Sequence, residues 1–188
     1  GWKVVNPENS TPAIKVEKNY IESRFYKAKF DEVGNIVSLY DKEYDRYVTV
    51  EGEKANELQI FEDMPKIYDA WEITKYYKQK MWTIDNVVSI EKLKESCRSG
   101  LAITKKFGNS TIKQKIYFYE NTRNIDFETE IDWQEEHLLL KAAFPLDIHT
   151  DKAAYDIQFG NVERPTHTNT SWDEAKFEVC AHKWADLS

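Results

Sequence analysis

The chain has little of what would commit it to an unusual class. It holds two cysteines in 188 residues, Cys97 and Cys180, far apart in sequence, so a disulfide-stapled scaffold is excluded. Two free thiols in a reducing cytoplasm is the reading taken here. Six glycines and five prolines are too few for a low-complexity or collagen-like chain. No apolar run approaches the roughly 18 residues of a membrane span. Positive charge is in deficit, with 26 Lys and Arg against 33 Asp and Glu. A net charge of −7 argues against nucleic acid as a partner, because phosphate binding needs clustered cations. The first residue is Gly1 and no secretory leader pattern follows it, so the sequence reads as a piece of a longer protein.

What is present is a soluble, core-forming composition: 41% hydrophobic, 31% charged and 14% aromatic, with 11 Tyr and 6 Trp. Aromatics favour strands, and they also stack on the apolar faces of sugars. Composition leaves both accounts open.

Period-two alternation dominates the pattern. In IKQKIYFY (112–119), Ile112, Ile116 and Phe118 share a face opposite Lys113 and Lys115. In NIDFETEID (124–132), Ile125, Phe127 and Ile131 alternate with acids. A loop at ENTR (120–123) pairs Phe118 with Ile125, Ile116 with Phe127, Lys115 with Glu128 and Lys113 with Glu130. Hydrophobic and charge pairing then agree on one register. A second hairpin is predicted over 23–42 around the turn DEVGN (31–35), where Gly34 supplies a positive φ. Further strands are predicted at 46–50, 57–62, 84–90, 101–107, 138–148 and 153–159, with a turn at 108–110. Residues 64–82 lack clean alternation and read either as a short helix near 69–80 or as a loop packed on its own rings. Residues 1–13, which include NPENSTP (6–12), read as a linker or added sequence before one β domain over 14–188. Many short strands with polar punctuation predict an all-β fold, an antiparallel sandwich.

Chemistry-bearing motifs are sparse. The four histidines, His137, His149, His167 and His182, show no paired spacing, and there is no HExxH or CxxC, so no metal site is expected within the chain. GxSxG, GxGxxG and Walker-type loops are absent. Paired carboxylates, as glycoside hydrolysis requires, are abundant in principle: Glu62, Asp63, Asp69, Glu72, Glu163 and Asp173. Most acids in so acidic a chain are solvated strand faces. Two segments stand apart. QIFEDMPKIYDAWEI (59–73) interleaves acids with rings, notably Asp69 and Trp71, the dress of a sugar subsite and equally of a packed loop. In the closing stretch Glu163, Arg164, His167, Asn169 and Trp172 gather within ten residues, read as a loop where functional groups concentrate.

Those two segments also carry a resemblance. ANELQIFEDMPKIYDAWEI (55–73) is similar to the pattern N-x-L-Q-L-F-x-D-x-P-x-x-W-D-A-W-[DE]-I, with Tyr68 where the first Trp of W-D-A-W is usual. HLLLKAAFPLDI (137–148) and YDIQFGNVERPTHTNTSWDEAKFEVCAHKWADLS (155–188) match a second pattern. From about Tyr20 to Ser188 the chain resembles the post-catalytic β-domain of glycoside hydrolase family 38 α-mannosidases, in the branch with bacterial and cytosolic or vacuolar eukaryotic enzymes. The resemblance implies a galactose-mutarotase-like supersandwich, cut at its C-terminal edge where family members continue. It implies a retaining mannosidase acting on mannose-containing oligosaccharides, with an Asp nucleophile, a carboxylic acid/base and a divalent metal, usually Zn²⁺. The metal ligands and the nucleophile belong to an N-terminal domain whose motifs are not in this chain. Partners expected on this basis are the protein's own catalytic and helical domains, with homo-oligomerisation of the full-length protein left open. The site residues expected at the active-site rim are Asp69 and Trp71 first, then Glu163, Arg164, His167 and Asn169. An independent lectin-like module and a purely structural or oligomerisation domain are the alternatives.

Overall fold

The computed structural model describes residues 14–68 and 71–187. The linker expected over 1–13 lies outside them. Along the chain the strands are β1 (Lys15–Glu17), β2 (Tyr20–Glu22), β3 (Tyr26–Phe30), β4 (Ile36–Asp41), β5 (Arg46–Tyr47), β6 (Glu57–Glu62), β7 (Met81–Thr83) and β8 (Val87–Lys94). They continue as β9 (Arg98–Phe107), β10 (Ser110–Tyr119), β11 (Ile125–Asp132), β12 (Leu138–Ala143), β13 (Lys152–Ile157), β14 (Gly160–Pro165) and β15 (Ala185–Asp186). One short helix, α1 (Ser171–Ala175), interrupts the closing stretch.

All pairings are antiparallel. A five-stranded sheet runs β1-β2-β3-β4-β5 and a four-stranded sheet runs β11-β10-β9-β8. Their alternating inward residues, Ile21, Ala28 and Ile36 from one sheet and Leu101, Ile116 and Phe118 from the other, form the main core of the sandwich. Two three-stranded sheets, β12-β6-β7 and β14-β13-β15, extend this body. A second core gathers Leu58, Ile60, Ile84 and Ile112. Strand β10 serves both cores.

The β10–β11 hairpin adopts the register expected from the pattern: Phe118 opposite Ile125, Ile116 opposite Phe127, Lys115 opposite Glu128, Lys113 opposite Glu130. The charge pairs are looser than the apolar ones. Lys113 reaches Glu130 at 3.7 Å, while Glu128 is taken at 2.6 Å by Arg98 of β9. Arg98 also lies 3.8 Å over the ring of buried Tyr117, so the face that the alternation assigns to solvent carries an aromatic under a guanidinium.

The β3–β4 turn is fixed by Asp31. Its Oδ1 accepts the Val33 and Asn35 amides at 3.1 and 2.8 Å, and Gly34 turns at φ 84°. The turn sits on the opposite sheet: a Cβ on Gly34 would lie 2.5 Å from Ile103 Cδ1. Buried Lys105 donates to Asn35 Oδ1 at 3.1 Å, tying turn to sheet. Buried Asn56 and Gln114 exchange amide hydrogen bonds of 2.7 and 3.2 Å, which satisfies two polar groups between the cores.

Several elements differ from expectation. The strand predicted at 138–148 ends at Ala143, because Pro145 has no amide to donate. The one predicted at 46–50 is reduced to Arg46–Tyr47 and an isolated bridge from Thr49 to Leu146. Within 64–82 no α-helix forms over the described residues. There is a 3₁₀ turn at Tyr77–Gln79, and then β7. Tertiary anchoring decides this: the Tyr77 ring is buried edge-on against Phe61 at 5.0 Å.

Candidate functional site

The closing stretch is more ordered than a loop. Glu163 and Arg164 lie on β14, paired with Ala154 and Ala153 of β13, which corrects their expected placement. The turn that joins the two strands places Phe159 at φ 66° with its ring in solvent. Period two then sends the two neighbours to opposite faces. Glu163 is exposed and bonds Lys152 at 3.0 Å, whereas Arg164 turns inward.

Arg164 and His167 line one cleft of about 450 Å³, together with Tyr155, Lys78, Lys176 and Phe177 among others. Asp173 and Glu174 are the acids on this rim. Asp173 is already engaged. Its Oδ2 accepts the Thr170 hydroxyl at 2.7 Å and amide at 3.2 Å, while Thr170 Oγ1 caps α1 through the Asp173 amide. The Thr170 hydrogen bond holds the Asp173 carboxyl below the usual carboxylate range, with the His167 ring 3.7 Å away adding to it. Asn169 joins only through its backbone, whose amide donates to His167 Nδ1 at 3.4 Å.

The 64–82 segment meets this stretch through a group that spacing does not reveal. Glu178 accepts from Lys141 Nζ at 2.6 Å and from the Tyr77 hydroxyl, and Lys141 lies 3.0 Å from that hydroxyl. Burial raises the Tyr77 pKa and the Glu178 hydrogen bond adds to the shift. Burial raises the Glu178 pKa as well, but Lys141 and Tyr77 together outweigh it and hold the carboxyl down. Phe177 lies 6.4 Å from the Tyr77 ring, and Lys78 borders the Arg164 cleft. Further along, Asp156 Oδ1 accepts the Lys183 and Trp184 amides at 2.6 and 3.0 Å, pinning β15 to β13.

Of the residues expected at a rim, then, Arg164 and His167 share a cleft, Asn169 contributes backbone, and Glu163 faces away. Trp71 is 85% exposed on the 64–82 segment and does not line that cleft. Asp69 lies outside the described residues. Tyr77, Lys141 and Glu178 were not singled out by the sequence. Their separations of 37 to 101 positions leave no local signal. Both cysteines are free and exposed. Among the described residues no three His, Cys, Asp or Glu side chains converge, so they do not make the coordination shell of a divalent metal.

Comparison with known proteins gives this geometry a setting. The chain is 35% identical to Alpha-mannosidase G of Dictyostelium discoideum over 99% of its own length, and 34% identical to Alpha-mannosidase 2C1 of Homo sapiens over 89%. It spans only 18% and 16% of those relatives. The crystal structure of an alpha-mannosidase from Enterococcus faecalis V583 superimposes with a TM-score of 0.64 at 17% identity, over 83% of this chain and 20% of that one, a likeness of fold. The model of the glycosyl hydrolases family 38 C-terminal domain matches residues 21–188. The chain therefore belongs to the family of glycosyl hydrolase family 38 C-terminal domains.

Proposed function

We propose that these residues are the non-catalytic β-domain, taken as 14–188, of a retaining α-mannosidase that removes terminal α-D-mannosyl residues from oligosaccharides. The domain buttresses a catalytic barrel and lends side chains to the rim of its active site. The observation that carries the reading is where the free groups lie. The two segments most like the family patterns, 55–73 and 155–188, present uncommitted rings and cations, among them Trp71, Tyr68, Trp172 and Arg164. The body of the sandwich, by contrast, satisfies its buried polar groups internally.

On this reading the nucleophile, the acid/base and a divalent metal, Zn²⁺ by family likeness, reside in the N-terminal portion, and no step of hydrolysis is assigned to residues 1–188. Asp69 and Trp71 are the first rim residues, with Glu163, Arg164, His167 and Asn169 behind them. We take the whole protein to be cytoplasmic and leave its homo-oligomerisation open. The test is kinetic. Residues 1–188 alone should not cleave a chromogenic α-mannoside, while Trp71→Ala and Arg164→Ala in the full-length protein should lower kcat or raise KM. Wild-type kinetics in both variants would remove the rim assignment.

A lectin-like module is the second reading, favoured by the exposure of Trp71, since an open ring is what stacks on a pyranose. It requires residues 1–188 to bind mannose alone. A flat calorimetric titration at millimolar mannose rules it out.

A further inference from the structure

Among the described residues two buried side-chain polar atoms have no hydrogen-bond partner, Asp63 Oδ1 and Arg164 Nε. Native folds rarely leave such atoms bare, so each asks for an explanation. For Arg164 the surroundings supply one. No described residue accepts from its Nε, and the guanidinium lies 5.9 Å from the centre of the Tyr155 ring. The same cleft holds Lys78, Lys176 and His167. The rim acids are Asp173, whose Oδ2 is held by the Thr170 hydroxyl and amide, and Glu174; neither has a hydrogen bond to Arg164 Nε. Glu163, the next residue on β14, is turned to the other face and paired with Lys152. Positive charge is thus in excess in this cleft, where Arg164, Lys78 and Lys176 face two rim acids on a chain whose net charge is −7.

We propose that the Arg164 cleft seats the carboxylate of an Asp or Glu side chain from the part of the polypeptide outside residues 1–188. The proposal rests on the reading of these residues as one domain of a longer mannosidase, and it specifies how that domain is keyed to the rest. A guanidinium presents parallel N–H donors matched to the two oxygens of a carboxylate, a fit that neutral sugar hydroxyls do not offer. The walls of the cleft include Pro165, Phe177 and Val179, which lower the local polarity and strengthen the pair once water is expelled. Lys78 brings the 3₁₀ turn after residue 76 to the same point, so one incoming acid meets that turn and the closing stretch together.

The experiment uses the full-length protein and a water-soluble carbodiimide, which joins amines to carboxylates already in contact. Peptide mapping should find Lys78 or Lys176 linked to an acidic residue outside 1–188. Loss of one partner of a buried charge pair weakens docking by about tenfold or more, so the link should fade by that factor in Arg164→Gln. Arg164→Lys, which keeps charge but not the fork, is run beside it and should also lose yield. The proposal is overturned if both lysines link only to acids within 1–188, or if neither variant changes the yield. It also falls if neither lysine forms such a link, since no acid of the rest of the chain then sits in the cleft. None of these readouts needs turnover, so a failed mannosidase assay and a failed cleft remain distinguishable.

Discussion

Gly100 offers a sharp test of how closely the two central strands are packed. It stands opposite Tyr117 in the β9–β10 ladder. A Cβ placed on it would lie 1.7 Å from the Ile116 carbonyl oxygen, 2.8 Å from the Ile116 carbonyl carbon and 3.1 Å from Tyr117 Cα. All three are backbone atoms, so no side chain can step aside. Ordinary C···O contact begins near 3.3 Å, and Gly100→Ala must therefore move the strands by about 1.5 Å. Ladder partners at normal spacing lose their hydrogen bonds over such a shift, at about 1 kcal/mol each. The fully buried side chains of Leu101, Ile116 and Phe118 lose their fit as well. A total of about 3–5 kcal/mol follows, a large share of the 5–15 kcal/mol that holds a typical domain together. Gly160→Ala, where nothing lies within 4 Å of the new Cβ, should stay within about 0.5 kcal/mol of wild type. Urea unfolding followed by circular dichroism, extrapolated linearly, measures both. Equal midpoints for Gly100→Ala and Gly160→Ala would refute the reasoning.

Three more perturbations are informative. Lys141→Met leaves the half-buried Glu178 carboxylate without its cation and should loosen the closing stretch by about 1.5 kcal/mol, seen as about tenfold faster tryptic cleavage after Lys176. Arg123 joins the β10–β11 loop to the first sheet through Asp41 and Glu43 and lies over the Phe25, Tyr26 and Tyr44 rings. Arg123→Ala strands the buried Asp41 carboxylate and should cost about 2 kcal/mol in urea unfolding. The Lys183 and Trp184 amides hold the Asp156 carboxyl below its usual range. A depressed carboxyl pKa stabilises above the unfolded value and is lost as pH falls through the folded one. The docking of β15 should thus persist at neutral pH and release on acidification below about pH 4, with Trp184 fluorescence as the readout. Asp156→Asn should flatten that transition.

The sequence made the β10–β11 register legible because two independent signals, apolar pairing and charge pairing, converge on it. The turn at Asp31–Asn35 was legible for a local reason: Gly34 supplies the backbone conformation, and Asp31 holds the amides that follow it. Arg164 was harder. NVERP has no alternation of large apolar residues, and its strand exists because β13 is there to pair with it. The 64–82 segment was harder again. Its rings fit a helix or a loop equally, and the choice falls to where Tyr77 finds Phe61 and Glu178, contacts made across the fold. Of the candidate site, residue types were visible but facing was not. Adjacent Glu163 and Arg164 differ in role because strand geometry separates them, and that geometry appears only once the strand is known.

The double service of β10 has a consequence for how this protein comes apart. Ile112 lies in one core, and Ile116 and Phe118 lie in the other, along a single unbroken strand of ten residues. Neither core can dissolve without withdrawing a wall from its neighbour. Opening should therefore be all-or-none across both cores, so the slowest-exchanging amides of each should share one opening free energy. Slack of the kind that lets a domain respond to a partner is then confined to its periphery, at residues 71–82 and the strands beyond Ala143.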